Sequence, residues 1–403
     1  MCNADTCNKK PFLSRLIKYL ALLSLIAAYI FGYFNNKYDT HNKIEGNLPG
    51  KTITILKNYP DVYVVSDKVN KGPEGWLITS KQQGWGGPME VGTWIDLKGT
   101  IKKLIVIGHR ETPVFFNALV KGNYFEQYKK KHIQEKFITG QDIDAVSGAT
   151  ISSRAVAEAT KKGAHKWGRE HFGYTFNKKP FSIKIGSNEF IMIVLYAVII
   201  ISAVRRYRKM RYITLAFSIV FMGFYLRSPI SISAFGSLLM GYMPSVSNHI
   251  LWWILFIGAI LMALIMGKNL YCYWACPFGG IQEFIHRLGG FNTKVNQTIN
   301  RIAGRVVYIL FWLSFMLMFL STNPAIGTFE PFAVLFSFKG YGVQWYLVSI
   351  AIFGSFFIPR FWCRFFCPVG LALTSISKIK KKILKFIKTN KRKGVLNEKA
   401  ILQ

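Results

Sequence analysis

The sequence predicts an α+β domain inserted into a polytopic α-helical membrane protein, and three observations predict it. Apolar runs near the ~20 residues that cross a hydrocarbon core recur along the chain. The chain has 403 residues and is 51% hydrophobic. Between the first and second runs lies a stretch, residues 47–179, in which strand-like and helix-like patterns mix. The third observation is charge. The formal net charge is +33, yet from residue 181 onward only Glu189, Glu283, Glu330 and Glu398 are acidic. The basic residues there sit in short connections and in the tail, as the positive-inside rule requires of cytoplasmic loops. Nucleic acid, the first partner such a charge suggests, is set aside on that distribution.

The first apolar run covers residues 12–34, with Lys9, Lys10, Arg15 and Lys18 before it or at its start. It is long for a signal peptide and has no small-residue cleavage site before Asn35, so it reads as an uncleaved anchor with the amino terminus inside. In the inserted stretch, residues 52–56 and 62–65 are rich in β-branched side chains. Residues 91–97 and 101–107 alternate around Lys98-Gly99, a hairpin pattern. Residues 151–167 read as a helix.

The remainder reads as membrane. Residues 190–204 end in Arg205, Arg206, Arg208, Lys209 and Arg211, and residues 212–226 return. Residues 228–247 are apolar but broken by Pro229, Gly236, Gly241 and Pro244, which suits a surface or re-entrant segment. Residues 250–266 cross and meet Lys268, residues 306–320 cross back, and residues 341–358 cross and meet Arg360. The tail, residues 378–393, carries nine Lys or Arg. With Ile376, Ile379, Ile383, Phe386 and Ile387 it suits an amphipathic helix lying on membrane lipid.

Six spans with the amino terminus inside place the carboxyl terminus inside too, in a bacterial cytoplasmic membrane. The expected division is residues 1–46 for the amino terminus and anchor, 47–179 for an extracytoplasmic domain, 180–377 for the membrane domain and 378–403 for a cytoplasmic tail. The loops expected outside, residues 227–249 and 321–340, carry one basic residue each, Arg227 and Lys339.

The most specific segment of the inserted domain is Asp144-Ala145-Val146-Ser147-Gly148-Ala149-Thr150. It is a small-residue turn running into a helix. Ser147, Gly148 and Ala149 let the backbone approach a ligand closely. The helix start presents free N–H groups and a positive dipole end, which favour a phosphate. These residues resemble the attachment motif of the covalent-FMN domain family, which includes the flavin subunits of the sodium-pumping NADH:quinone oxidoreductase and of the Rnf complex. The resemblance implies FMN joined to Thr150 by a phosphoester bond that a dedicated flavin transferase makes, with Asp144 matching the motif's leading acid. Gly84-Trp85-Gly86-Gly87-Pro88 resembles the family's glycine-rich segment, so Gly86 and Gly87 are expected at the flavin. His109-Arg110-Glu111-Thr112-Pro113 resembles its Glu-Thr-Pro element, which implies Glu111 and Thr112 near the ring. Val114 stands where family members often have glycine. The resemblance covers about residues 52–168.

All six cysteines lie outside residues 40–181. Cys272, Cys276, Cys363 and Cys367 form two copies of one pattern: Cys, three residues, Cys, Pro, with Gly279 and Gly370 at the same offset. Each copy closes an apolar run. The proline favours a turn there, and four cysteines from two such turns suit one centre. Four thiolates suit an iron–sulfur cluster or structural zinc. Lys268, Arg360 and Arg364 nearby favour thiolates or an anionic cluster. The pattern resembles that of NosR-type and NapH-type membrane proteins of anaerobic respiration, which implies a 4Fe–4S cluster. Full NosR-type proteins add a ferredoxin-like tail, whereas here no cysteine follows Cys367. Cys2 and Cys7 stay unassigned.

No histidine sits in mid-span and no acid at a span centre, which disfavours membrane haem and pumping. The expected function is an electron-transfer component rather than a stand-alone enzyme. It would take electrons from a cytoplasmic donor or a quinol and pass them to an extracytoplasmic redox acceptor. A redox sensor or a maturation factor for a respiratory reductase is the second expectation.

Overall fold

Leu77 and Ile78 are neighbours in one strand, and both are buried, at 0% and 2% exposure. Successive strand residues point to opposite faces, so the sheet that holds them is covered on both sides. The computed structural model describes residues 4–35, 40–68, 72–84, 86–111, 113–176, 185–244, 246, 249–289, 295–338 and 342–380. They fall into two compact units. The first comprises residues 1–182, 233–245 and 315–328, and the second residues 183–232, 246–314 and 329–403.

The first unit starts with helix α1 (Ala4–Asn35), followed by α2 (Thr40–Asn47) and five strands. The strands are β1 (Lys51–Leu56), β2 (Tyr59–Asp67), β3 (Pro73–Gln83), β4 (Pro88–Asp96) and β5 (Ile101–His109). They form one antiparallel sheet in the order β1-β2-β3-β4-β5. The expected hairpin is β4–β5. Asp96 Oδ1 accepts the N–H of Lys98 at 2.9 Å and of Thr100 at 2.8 Å, and Gly99 takes a left-handed φ of +87°. Helix α3 (Pro113–Lys121) and a 3₁₀ turn (Tyr124–Tyr128) lead to α4 (Thr150–Phe172).

Helix α4 covers one face of the sheet, where Ile78, Met89, Val91 and Ile95 meet Val156, Ala159 and Trp167. The other face carries Ile53, Val65, Leu77, Ile105 and Ile107 under Ile44 of α2. The packing on this face therefore begins at Ile44. Strand β3 is the strand its polar second half conceals. Ser80 Oγ donates to Ala159 O at 2.7 Å and Gln82 Nε2 to Glu158 Oε2 at 2.9 Å, so these polar groups are satisfied by α4. The same unit holds contacts to segments distant in sequence. Tyr29 of α1 packs edge-on against Phe319 at 5.5 Å.

The second unit is helical. It contains α5 (Ser187–Val204), α6 (Arg208–Ser218) and a π-helical stretch Ile219–Tyr225. Helix α7 (Ile232–Leu239) starts at the edge of this unit and runs into the first. Next come α8 (Ile250–Met266), a second π-helical stretch Tyr271–Ala275, α9 (Pro277–Gly289) and α10 (Gln297–Ser321), whose end belongs to the first unit. The unit ends with α11 (Phe332–Ser337), α12 (Gly342–Phe357), α13 (Phe361–Phe365) and a helix over residues 368–380.

Among the described residues, three helices are long and apolar enough to cross a membrane: Arg15–Asn35, Ser187–Val204 and Gln297–Ser321. Helices α8 and α12 are apolar but shorter, at 17 and 16 residues. The expected crossing over residues 212–226 is built instead from the end of α6 and the π-helical stretch Ile219–Tyr225. Three of the six expected crossings thus coincide with helices of full spanning length among the described residues. Helices α5 and α8 pack through Tyr196, whose hydroxyl donates to Leu255 O at 2.8 Å, and Gly258 leaves room for its ring.

Candidate flavin and cysteine sites

The candidate flavin site is built around the start of α4. Thr150 is its first residue and is exposed, as are Asp144, Ser147 and Gly148, while Ala149 is buried. Gly148 takes φ +80°, which brings the chain into the helix without side-chain strain. Ala149 caps the helix with no side-chain hydrogen bond. The first N–H groups of the helix are therefore not taken by a cap.

The turn is held from behind. Val146 N donates to Ser153 Oγ at 3.1 Å, and the Gln127 amide pairs with both backbone groups of Asp144, at 2.8 and 3.2 Å. Asp144 thus contributes its main chain, and its carboxylate stays exposed. Buried Tyr124 donates to Ser153 O at 2.6 Å. Gln127, Ser152 and Ser153 were not legible as site residues, because their roles depend on contacts across the fold rather than on the motif.

Glu111 is 1% exposed and sits behind the site. Its Oε1 accepts Gly86 N at 2.6 Å and its Oε2 accepts Ser152 Oγ at 2.9 Å. It joins the glycine loop to the first turn of α4. Two of its glycines have no room for side chains. A Cβ on Gly84 would collide with the Glu111 carboxylate, and one on Gly87 would lie 2.5 Å from Arg110 O. Gly86 and Gly87 are buried, and Gly86 O accepts from Ser237 Oγ at 3.3 Å. Arg110 lies 5.0 Å from the Tyr242 ring centre. So the segment expected to be surface or re-entrant supports this loop. Thr112 and Trp85 lie outside the described residues.

The second site joins the two cysteine motifs. Cys272, Cys276, Cys363 and Cys367 all line one cavity of about 350 Å³. Cys276 and Cys367 are buried, and Cys272 and Cys363 are partly so. The expected turns at the prolines are helix starts: Pro277 opens α9, and Pro368 opens the helix over residues 368–380. Proline fits there because the first helical N–H has no partner to lose. The second cysteine of each pair thus stands at the positive end of a helix. Gly279 N donates to Cys276 Sγ at 3.4 Å. Gln282 Nε2 donates to Cys363 Sγ at 3.5 Å, and its Oε1 accepts Trp362 N at 2.8 Å.

Four cysteines around one cavity offer four thiolates, the donor set of an iron–sulfur cluster and of structural zinc. The cavity is also lined by Ile230 and Phe332, from the two loops expected on the far side of the membrane. Ile230 N donates to Tyr271 O–H at 3.1 Å, beside Cys272, and Phe332 packs on Phe278 at 4.9 Å. Cys2, the side chain of Cys7, and the tail beyond residue 380 lie outside the described residues.

A sheet domain with an exposed threonine at a bare helix start, and a helical region with four converging cysteines, define a two-cofactor redox protein. Residues 84–165 match the FMN-binding domain family, and residues 248–296 and 346–386 match the 4Fe-4S binding domain family. The first match contains the glycine loop and Thr150, and the second brackets both cysteine pairs. The chain is 29% identical over 188 residues to Protein NirI of Paracoccus denitrificans, covering 43% of this chain and 28% of that protein. It is 25% identical over 186 residues to Regulatory protein NosR of Stutzerimonas stutzeri, covering 41% and 25%. It is 26% identical over 133 residues to a component of the proton-translocating ferredoxin:NAD(+) oxidoreductase complex of Clostridium ljungdahlii, covering 28% and 69%. The matched part is about a quarter of the length of NirI and NosR.

Proposed function

We propose that this chain is a membrane electron-transfer flavoprotein linking an iron–sulfur centre on Cys272, Cys276, Cys363 and Cys367 to FMN esterified on Thr150. The observation that carries the reading is the convergence of four cysteines from two repeated motifs on one cavity, within the two segments that match the 4Fe-4S binding domain family. The flavin would supply one- and two-electron chemistry, and the cluster one-electron chemistry.

The residues divide the work. Thr150 offers an exposed hydroxyl for the ester, and the uncapped first turn of α4 favours the phosphate beside it. Glu111 holds Gly86 and Ser152, which keeps the glycine loop against that turn. The helix starts at Pro277 and Pro368 direct positive dipole ends toward Cys276 and Cys367. A flavin transferase is the implied maturation partner, and a cytoplasmic reductant or a quinol the donor. The acceptor is a redox protein on the side of the sheet domain, which we place outside the cytoplasm.

A membrane core of about 30 Å is a long gap for electrons. The reading therefore requires the flavin domain to dock close to the cysteine centre or a further carrier to bridge the two.

The test uses anaerobically purified protein from a host with the transferase. In wild type, a rapid-mixing experiment with a quinol analogue or a low-potential donor should bleach the flavin absorbance. In Cys272→Ser that bleaching should slow at least tenfold. Equal rates in both would overturn electron transfer through the cysteine centre. The alternative, a redox sensor or maturation factor, draws on the likeness to a protein named as regulatory. Sustained turnover between artificial donor and acceptor would argue against it.

A further inference from the structure

Three residues before the first cysteine of each motif stands a polar side chain: Asn269 before Cys272, and Arg360 before Cys363. Each reaches across to the other motif. Asn269 Nδ2 donates to Gly370 O at 3.4 Å and Thr374 Oγ1 at 3.3 Å, while its Oδ1 accepts Cys272 N at 3.1 Å. Arg360 Nη1 donates to Cys272 O at 2.9 Å, and its Nη2 to Tyr273 O at 3.2 Å.

The two braces are reciprocal in geometry and unequal in charge, since the amide is neutral and the guanidinium always cationic. Arg360 sits at φ +55°, a left-handed conformation uncommon outside glycine. Glu283 accepts from Arg360 Nε at 2.9 Å and from Arg211 Nη2 at 2.5 Å. The Tyr273 ring lies 4.4 Å from the Arg211 guanidinium and 4.6 Å from that of Arg360. Two cations share one carboxylate, so this group keeps an excess positive charge. Arg360 lines the same cavity as Cys272, Cys276 and Cys363.

We propose that Arg360 is a positioning residue of the cysteine centre that ties the two motifs together and, by its charge, raises the reduction potential of the cluster they hold. The inference rests on the iron–sulfur reading above. Reduction adds negative charge to a cluster, and net charge and hydrogen bonding around it set its potential. A partly buried cation beside it is weakly screened and stabilises the reduced form. Asn269 supplies the mirror-image tie without the charge, so tying and tuning are separable by substitution.

The experiment is a potentiometric titration of the full-length protein, followed by EPR, beside iron, sulfide and zinc analysis. Arg360→Lys should keep a potential near that of wild type. Arg360→Gln should shift it down, and Glu283→Gln, which frees the guanidinium from its counter-charge, should shift it up. Asn269→Ala should lower iron content and leave the potential of the remaining cluster unchanged. Wild-type potentials in both Arg360→Gln and Glu283→Gln, with iron intact, would overturn the inference. If Arg360→Gln loses its iron, Glu283→Gln decides: an upward shift supports the proposal and no shift overturns it. Zinc without iron in the wild-type protein overturns the iron–sulfur reading itself, and the inference with it.

Discussion

Thr150 stands exposed one residue after buried Ala149, so its hydroxyl is presented while its backbone is fixed. Thr150→Ala should abolish in-gel flavin fluorescence on a denaturing gel without unfolding the domain. Retained fluorescence would place the ester elsewhere. Glu111→Ala probes a different role. Both carboxylate oxygens are engaged, and alanine leaves the buried Gly86 N–H without its acceptor. That loss should cost about 1–3 kcal/mol, read as a lower melting temperature together with reduced flavin loading. Wild-type stability would show that Glu111 does not join the loop to the helix. Burial lowers the pKa of His109 and of His165. A folded state that binds protons less well than the unfolded one loses stability as pH falls. The loss should begin near the unfolded value of about 6.5 and deepen below it, and replacing both with glutamine should flatten that limb. These histidine effects were invisible in the sequence, since they come from packing such as His109 stacked on Phe116 at 3.5 Å.

At the level of elements, the sheet shows what pattern reading reaches. Strands β1, β2, β4 and β5 were legible from β-branched runs, alternation and the Lys98-Gly99 turn, and residues 151–167 of helix α4 read as a helix. Strand β3 was not, because its polar residues look solvated until α4 supplies their partners. Helix α2 was hidden for a similar reason: Ile44 is the large apolar residue by which it meets the sheet, with Leu48 just past its end, too few for a periodic signal. The cysteine pairs were legible by spacing. The cross-braces were not, since Asn269 and Arg360 find their partners about a hundred residues away in the sequence. Leu77 fills the α2 face of the central strand, and Leu77→Ala should destabilise the domain by ~2–5 kcal/mol. Chemical denaturation of the detergent-purified protein, followed by flavin fluorescence, would measure it. A change below the error of the midpoint would mean that the α2 layer is not part of the cooperative core.

For the whole molecule, the central prediction is composition: purified protein should contain iron and acid-labile sulfide and little zinc. Zinc alone would make the cysteine site structural. The orientation argument rests on charge. A cysteine placed at exposed Lys57 of the β1–β2 turn should react with a membrane-impermeant maleimide added to intact cells, whereas reaction only after lysis would invert the topology. The sheet order has a separate bearing on biogenesis. Because every strand pairs with its neighbour in sequence, the sheet has low contact order and can form stepwise as the chain emerges. Helix α4 arrives last, after all five strands, and brings Thr150 with it. Thr150 therefore meets the glycine loop only on a finished scaffold, so under the proposed ester linkage assembly of the domain is itself a checkpoint that precedes flavin attachment.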